Sequence, residues 1–132
     1  LDALIQKEPA VDVEFQAVQV GPAVLLANPA ELFCQLGLEM KKGSPFRFTF
    51  PVELANGVVG YVPTVEAFGK SSGGYETRLT AYSNLEITAG RRFVEECVRL
   101  ARSMKPGEVP APPKAKPFTQ PWSYGSVPPE VD

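Results

Sequence analysis

The sequence predicts a mixed α/β fold, a β-sheet with hairpins flanked by two main helices, and three observations lead there. Short apolar segments, alternating or continuous, occur between Val11 and Ala27 and again between Phe46 and Val62. Two longer segments, Pro29–Lys42 and Thr88–Met104, carry their apolar residues on the 3, 4, 7 spacing of a helix. The two kinds of segment interleave along the chain, which is the order that builds layered α/β units.

Val11, Val13, Phe15 and Ala17 alternate, then the phase slips to Val18 and Val20, as in a strand with a bulge near Ala17. Gly21-Pro22 turns the chain, and the continuous apolar run Ala23–Ala27 reads as the buried second strand of a hairpin. Asn28-Pro29 then predicts a helix start, because Asn accepts a first-turn N–H and Pro supplies the preset φ. That helix is expected to reach Lys42, with Lys41 and Lys42 at the carbonyl end of the dipole and Gly43 just beyond.

Phe46, Phe48, Phe50, Val52 and Leu54 alternate with Arg47, Thr49, Pro51 and Glu53, which predicts a strand with one apolar face and an interruption at Pro51. Asn56-Gly57 is a hairpin signal, with Val58–Val62 as the return strand. Thr64 is placed to cap a short helix over Val65–Phe68, Gly69–Gly74 is a flexible loop, and Tyr75–Tyr82 reads as a further strand. Thr88 is placed to cap the last helix, in which Phe93, Val94, Cys97, Val98, Ala101 and Met104 form a broad apolar stripe. Arg91 with Glu95 and Arg92 with Glu96 are spaced for ion pairs on its solvated side. Pro106-Gly107 ends it, and eight of the fourteen prolines lie from Pro106 onward, so 106–132 is expected to be an extended tail and 1–105 the packed unit.

At 132 residues, with 44% hydrophobic and 21% charged, the chain has the size of one globular domain. A formal charge of −2 without a run of five like charges lacks the electrostatic footprint of a nucleic-acid or anionic-membrane binder. No apolar stretch approaches the roughly 20 residues of a transmembrane helix. There is no histidine, which removes the commonest general base and metal ligand and every Ser-His or Cys-His arrangement built from this chain alone. Cys34 and Cys97 have no CxxC spacing and are expected to be buried free thiols. A first residue of Leu1 rather than Met leads to the expectation that this is one piece of a longer polypeptide.

Gly69-Lys70-Ser71-Ser72 lacks the preceding glycine of a phosphate loop. Glu31 in Asn28-Pro29-Ala30-Glu31 has two readings. It either completes a capping box at a helix start or presents a carboxylate where α/β sheets gather ligands. Tyr61 in Gly60-Tyr61-Val62-Pro63-Thr64 is likewise either half-buried packing or a functional phenol at a strand end.

Taken together, Asn28-Pro29-Ala30-Glu31-Leu32-Phe33, Asn56 through Thr64 with Glu66 and Phe68, and Gly74-Tyr75-Glu76 resemble the C-terminal part of the catalytic domain of the neutral/alkaline (non-lysosomal) ceramidase family, over roughly Val11 to Met104. The resemblance implies a zinc amidase that cleaves the N-acyl bond of ceramide or a related lipid amide, in a secreted or periplasmic setting. It implies that two histidines from an N-terminal part, outside this chain, hold the zinc together with Glu31 and Tyr61. Tyr75 would be the second active-site tyrosine, holding a substrate oxygen or the developing oxyanion. Ala30 stands where the family commonly has Gly, the stretch from Glu31 to Tyr61 is shorter, and the Pro-rich tail replaces the immunoglobulin-like domain that ends some members.

If these residues do share a zinc ion, Glu31 and Tyr61 must converge on one rim, their oxygens within about 4 Å. The chain alone is not expected to be active, and its partner is the N-terminal part of the same protein or a second chain. A reading from another class is a non-catalytic interaction module, with Phe46, Phe48 and Phe50 as a docking face and the Pro-rich tail laid along a partner.

Overall fold

In the computed structural model, which describes residues 6–7 and 9–114, two helices cover one side of a small sheet and a second sheet continues from its end. The elements are β1 (Gln16–Val20), β2 (Ala23–Ala27), β3 (Ala30–Leu32), α1 (Cys34–Gly43), β4 (Phe48–Val52), β5 (Gly60–Val62) and α2 (Ala89–Arg102). Single 3₁₀ turns span Val65–Phe68 and Tyr75–Thr77. This is a mixed α/β architecture, as the interleaved periodicities predict. Among the described residues, no helix is long and apolar enough to cross a membrane.

β1 and β2 form the expected antiparallel hairpin, closed by Gly21 at φ 56°. β2 then pairs in parallel with β4, and α1 is part of the crossover, giving the sheet order β1-β2-β4. Parallel neighbours need such a crossover, because a tight turn can only reverse the chain. The second sheet is a parallel pair, β3 with β5.

Asn28-Pro29 does not start a helix. Asn28 is fully buried, its Oδ1 accepting from the Ala30 N–H at 3.1 Å and its Nδ2 donating to the Val52 carbonyl at 3.2 Å. Its main chain is tied down too, the N–H to Val52 at 3.0 Å and the carbonyl to Ala55 at 2.9 Å. The side chain that resembles a helix cap therefore pins a bend between two strands. Residues 30–32 pair with Gly60–Val62, and the helix waits until Cys34, after Phe33, with no side-chain cap.

Asn56-Gly57 is not a hairpin turn either. β4 and β5 belong to different sheets, and Asn56, at φ 61°, lies in the loop between them with its Nδ2 donating to Glu14 at 2.9 Å. Residues 75–82 form a 3₁₀ turn and a Thr80–Ser83 bridge instead of a strand. Thr64 and Thr88 precede their helices without a side-chain cap bond. The expected i, i+4 pairs on α2 are replaced by Arg92–Glu86 and Arg99–Glu96, both 2.8 Å and exposed. Of the tail, 106–114 has no regular element, and 115–132 lies outside the described residues.

The core lies between the sheet and the helices. Val24 and Leu26 from β2 meet Leu36 and Met40 of α1 and Phe93, Cys97 and Ala101 of α2, and Phe15 packs edge-on to Phe93 with ring centroids 4.8 Å apart. The helices approach closely at their small residues. A Cβ on Gly43 would lie 2.7 Å from Val98, and one on Gly90 would lie 2.8 Å from Leu36. Cys97 is buried as expected, whereas Cys34 is exposed, because α1 starts later than predicted and turns its first residue to solvent. Both thiols are free.

The expected Phe46–Leu54 face splits. Phe46 precedes the strand and is buried in the core, while Phe48 and Phe50 are 39% and 51% exposed on the far side of the sheet. A polar knot beneath them sets this phase. Thr49 Oγ1 donates either to Ser44 Oγ at 2.8 Å or to the Phe46 carbonyl at 3.1 Å, which holds Thr49 inside.

Candidate functional site

The β3–β5 pair decides where the predicted site residues go. Because the pair is parallel and in register as Ala30↔Gly60, Glu31↔Tyr61 and Leu32↔Val62, Glu31 and Tyr61 are direct neighbours whose side chains leave the same face. Their neighbours Ala30, Leu32, Gly60 and Val62 are buried on the other side. Glu31 is thus a strand residue facing a tyrosine, not a helix N3 carboxylate in a capping box.

Tyr75 reaches the same place from the 3₁₀ turn after the glycine-rich loop. Its hydroxyl is 2.8 Å from that of Tyr61, and the two rings meet edge-on at 5.2 Å. Thr77 fixes this turn through Gly74, whose N–H donates to Thr77 Oγ1 at 3.2 Å. Glu31, Tyr61 and Tyr75, singled out separately in the sequence, are gathered at one spot.

Tyr82 is a residue that sequence reasoning missed. Its ring lies 6.2 Å from both Tyr61 and Tyr75, near-perpendicular to the first and at 64° to the second. Its carbonyl accepts the Tyr61 N–H at 2.8 Å. The approach is close because residue 60 is a glycine at φ 81°, where a Cβ would lie only 2.2 Å from the Tyr82 oxygen. No local pattern marks Tyr82, since a loop residue that packs by tertiary contact has no periodicity to reveal it. The only signal is the clustering of Tyr75 and Tyr82 after Tyr61.

The Tyr61 phenol is held well above the ordinary tyrosine range. The hydrogen bond with Tyr75 is the main cause, and the neighbouring Glu31 carboxylate adds to it, since its charge opposes a phenolate. Tyr75 and Tyr82 are 52% and 48% exposed, so the cluster forms an open rim. A shallow cavity of about 480 Å³ lies elsewhere, along α2 beside Glu95, Val98 and Arg102.

As metal ligands, these side chains offer oxygen only, and among the described residues no group of three or more His, Cys, Asp or Glu is placed to hold an ion. Glu31 and Tyr61 could supply only oxygen to a mixed nitrogen–oxygen shell, whose nitrogen ligands would have to come from outside the described residues. Without a metal, the cluster can bind an oxygen-bearing group by hydrogen bonds from its phenols and offer it aromatic edges. No family model, curated protein or solved structure matches the chain.

Proposed function

We propose that this chain is the C-terminal portion of a zinc-dependent amidohydrolase of the neutral ceramidase type, acting on the N-acyl bond of ceramide or a related lipid amide and inactive without a histidine-bearing N-terminal part. The observation that supports it is the convergence of Glu31, Tyr61 and Tyr75, residues 44 positions apart at the extremes, on one exposed rim, with Tyr61 and Tyr75 joined hydroxyl to hydroxyl at 2.8 Å. A structural role for Glu31 as a helix cap would have left it remote from both tyrosines.

Glu31 and Tyr61 would hold the metal from one side, with two imidazoles supplied from the N-terminal part. The chemistry that such a metal would supply there is Lewis acidity toward an amide carbonyl and a water. Tyr75, whose hydroxyl is bonded to that of Tyr61 at 2.8 Å, would donate its own proton to the substrate oxygen as charge develops there, with Tyr61 as the donor of the bond between them. Tyr82 walls the same rim and fixes the height of Tyr61 through the main chain.

The test is the intact polypeptide. Glu31→Ala is expected to lose bound zinc and amide hydrolysis together, whereas Tyr75→Phe is expected to keep zinc and lose turnover. Should the reading frame begin near Leu1, with no histidine-bearing segment upstream or in a partner chain, the proposal fails.

A further inference from the structure

Tyr61, Tyr75 and Tyr82 meet as three rings and not as a stacked pair. Their centres are 5.2, 6.2 and 6.2 Å apart, and their planes cross at 89°, 87° and 64°. Rings this steep to one another stand as the walls of a corner. The triangle of their centres is small enough that one point lies about 4.5 Å from all three, inside the roughly 6 Å over which a ring face attracts a cation. Tyr75 and Tyr82 are half-exposed, so the corner is open to a solute.

The walls are held before any ligand arrives. Tyr61 is fixed by its strand and by its N–H bond to the Tyr82 carbonyl at 2.8 Å, and Tyr75 by the hydroxyl bond to Tyr61 at 2.8 Å. Gly60 admits the Tyr82 main chain where no side chain could. A site assembled in advance loses little freedom on binding.

Charge selects the ligand. Glu31 is the register partner of Tyr61 and leaves the same face of the strand pair. Tyr75, through its hydrogen bond, and the Glu31 carboxylate, through its charge, keep the Tyr61 phenol protonated. Negative potential therefore comes from the ring faces and from one carboxylate, which calls for a cation. A primary ammonium or a hydrated metal ion gives up strong bonds to water and needs convergent acceptors in return, whereas two of the three phenol hydroxyls are already bonded to each other. A trimethylammonium group has no N–H to strand and spreads its charge over methyl groups that pack on rings.

From the angles and spacing of the three rings and the carboxylate beside them, we infer that Tyr61, Tyr75, Tyr82 and Glu31 form a binding site for a trimethylammonium group of the kind choline carries, seated on the rings with Glu31 as its counter-ion. The inference does not rest on the proposed metal site.

The test uses the full chain with a chelator present, so that its outcome is separate from any zinc. Choline is titrated in, with binding followed by calorimetry and by the proton resonance of its methyl groups. Millimolar affinity is expected, with the methyl resonance moved upfield by the ring currents, and 3,3-dimethylbutan-1-ol, the same shape without the charge, is expected to bind at least about tenfold more weakly. Tyr82→Ala keeps the main-chain bond to Tyr61 and is expected to weaken choline binding severalfold with unchanged far-ultraviolet circular dichroism, while Tyr82→Phe keeps the affinity. Glu31→Gln is expected to weaken it severalfold as well. Pelleting of the chain with phosphatidylcholine vesicles, blocked by free choline, places the group on a lipid headgroup, and choline binding without pelleting places it on a free molecule; each supports the site. No binding at tens of millimolar choline, equal binding of the neutral alcohol, or choline affinity unchanged in folded Tyr82→Ala or Glu31→Gln overturns the inference.

Discussion

Replacing Gly60 by alanine strikes the joint between the strand that carries Tyr61 and the loop that carries Tyr82. The added Cβ would stand 2.2 Å from the Tyr82 oxygen and 2.6 Å from its carbonyl carbon, and these are backbone atoms that cannot swing aside. Residue 60 is also at φ 81°, in the left-handed region. That conformation costs a non-glycine residue about 1–2 kcal/mol. Driving Tyr82 away also breaks the 2.8 Å bond from the Tyr61 N–H. A bond of that kind contributes about 0.5–1.5 kcal/mol net, so the expected loss is about 1.5–3.5 kcal/mol.

Gly21→Ala is the control, because Gly21 is left-handed at φ 56° but a Cβ there meets nothing within 4 Å. It should lose only the conformational part, about 1–2 kcal/mol. Urea unfolding followed by far-ultraviolet circular dichroism measures both. Equal destabilisation of the two variants would refute the contact between Gly60 and Tyr82 and, with it, the account of how Tyr61 is positioned.

Tyr75→Phe removes the principal cause of the raised Tyr61 pKa, so alkaline titration at the phenolate absorption band should show the highest tyrosine pKa falling. The sign for stability follows from the same shift. Above the ordinary value of 10.0 the folded state keeps a proton that the unfolded state has released, so this contribution is complete below that pH and is lost as pH rises past it, less steeply in the variant. A native-state thiol assay should find one reactive cysteine, Cys34, while Cys97, its thiol pushed up to about 12 by burial, reacts only on unfolding. Asn28→Ala leaves the Ala30 N–H without its acceptor, while the Val52 carbonyl keeps the main-chain N–H of residue 28, and should cost about 1–3 kcal/mol in chemical denaturation, with helical content unchanged in the folded baseline. A loss of helix signal would instead mark Asn28 as a cap.

The two helices and the strands β1, β2, β4 and β5 were legible in the sequence, because apolar periodicity records which side of an element is buried and that is local information, whereas β3 falls where a helix start was expected and the strand expected over Tyr75–Tyr82 does not form. The β1–β2 hairpin was legible for the same reason, Gly21 supplying a left-handed residue that its turn requires. Glu31, Tyr61 and Tyr75 could be singled out one at a time from their neighbours in the chain.

What sequence could not decide was partnership. Asn28 has the same hydrogen-bonding groups whether it caps a helix or pins a bend, and only the arrival of Val52 and Gly60 from later in the chain selects the bend. Asn56-Gly57 suits a hairpin until β4 pairs with β2 and β5 with β3, after which it must carry the chain between sheets. Phe46 alternates in phase with Phe48 and Phe50, yet the Ser44–Thr49 bond turns it into the core before the strand begins. The placing of Tyr82 beside Tyr61 likewise depends on contacts made across the fold. A polar or aromatic side chain fixes what bonds are open to it, but which bond forms depends on the groups that long-range pairing brings within about 3 Å, and those are set by the tertiary structure.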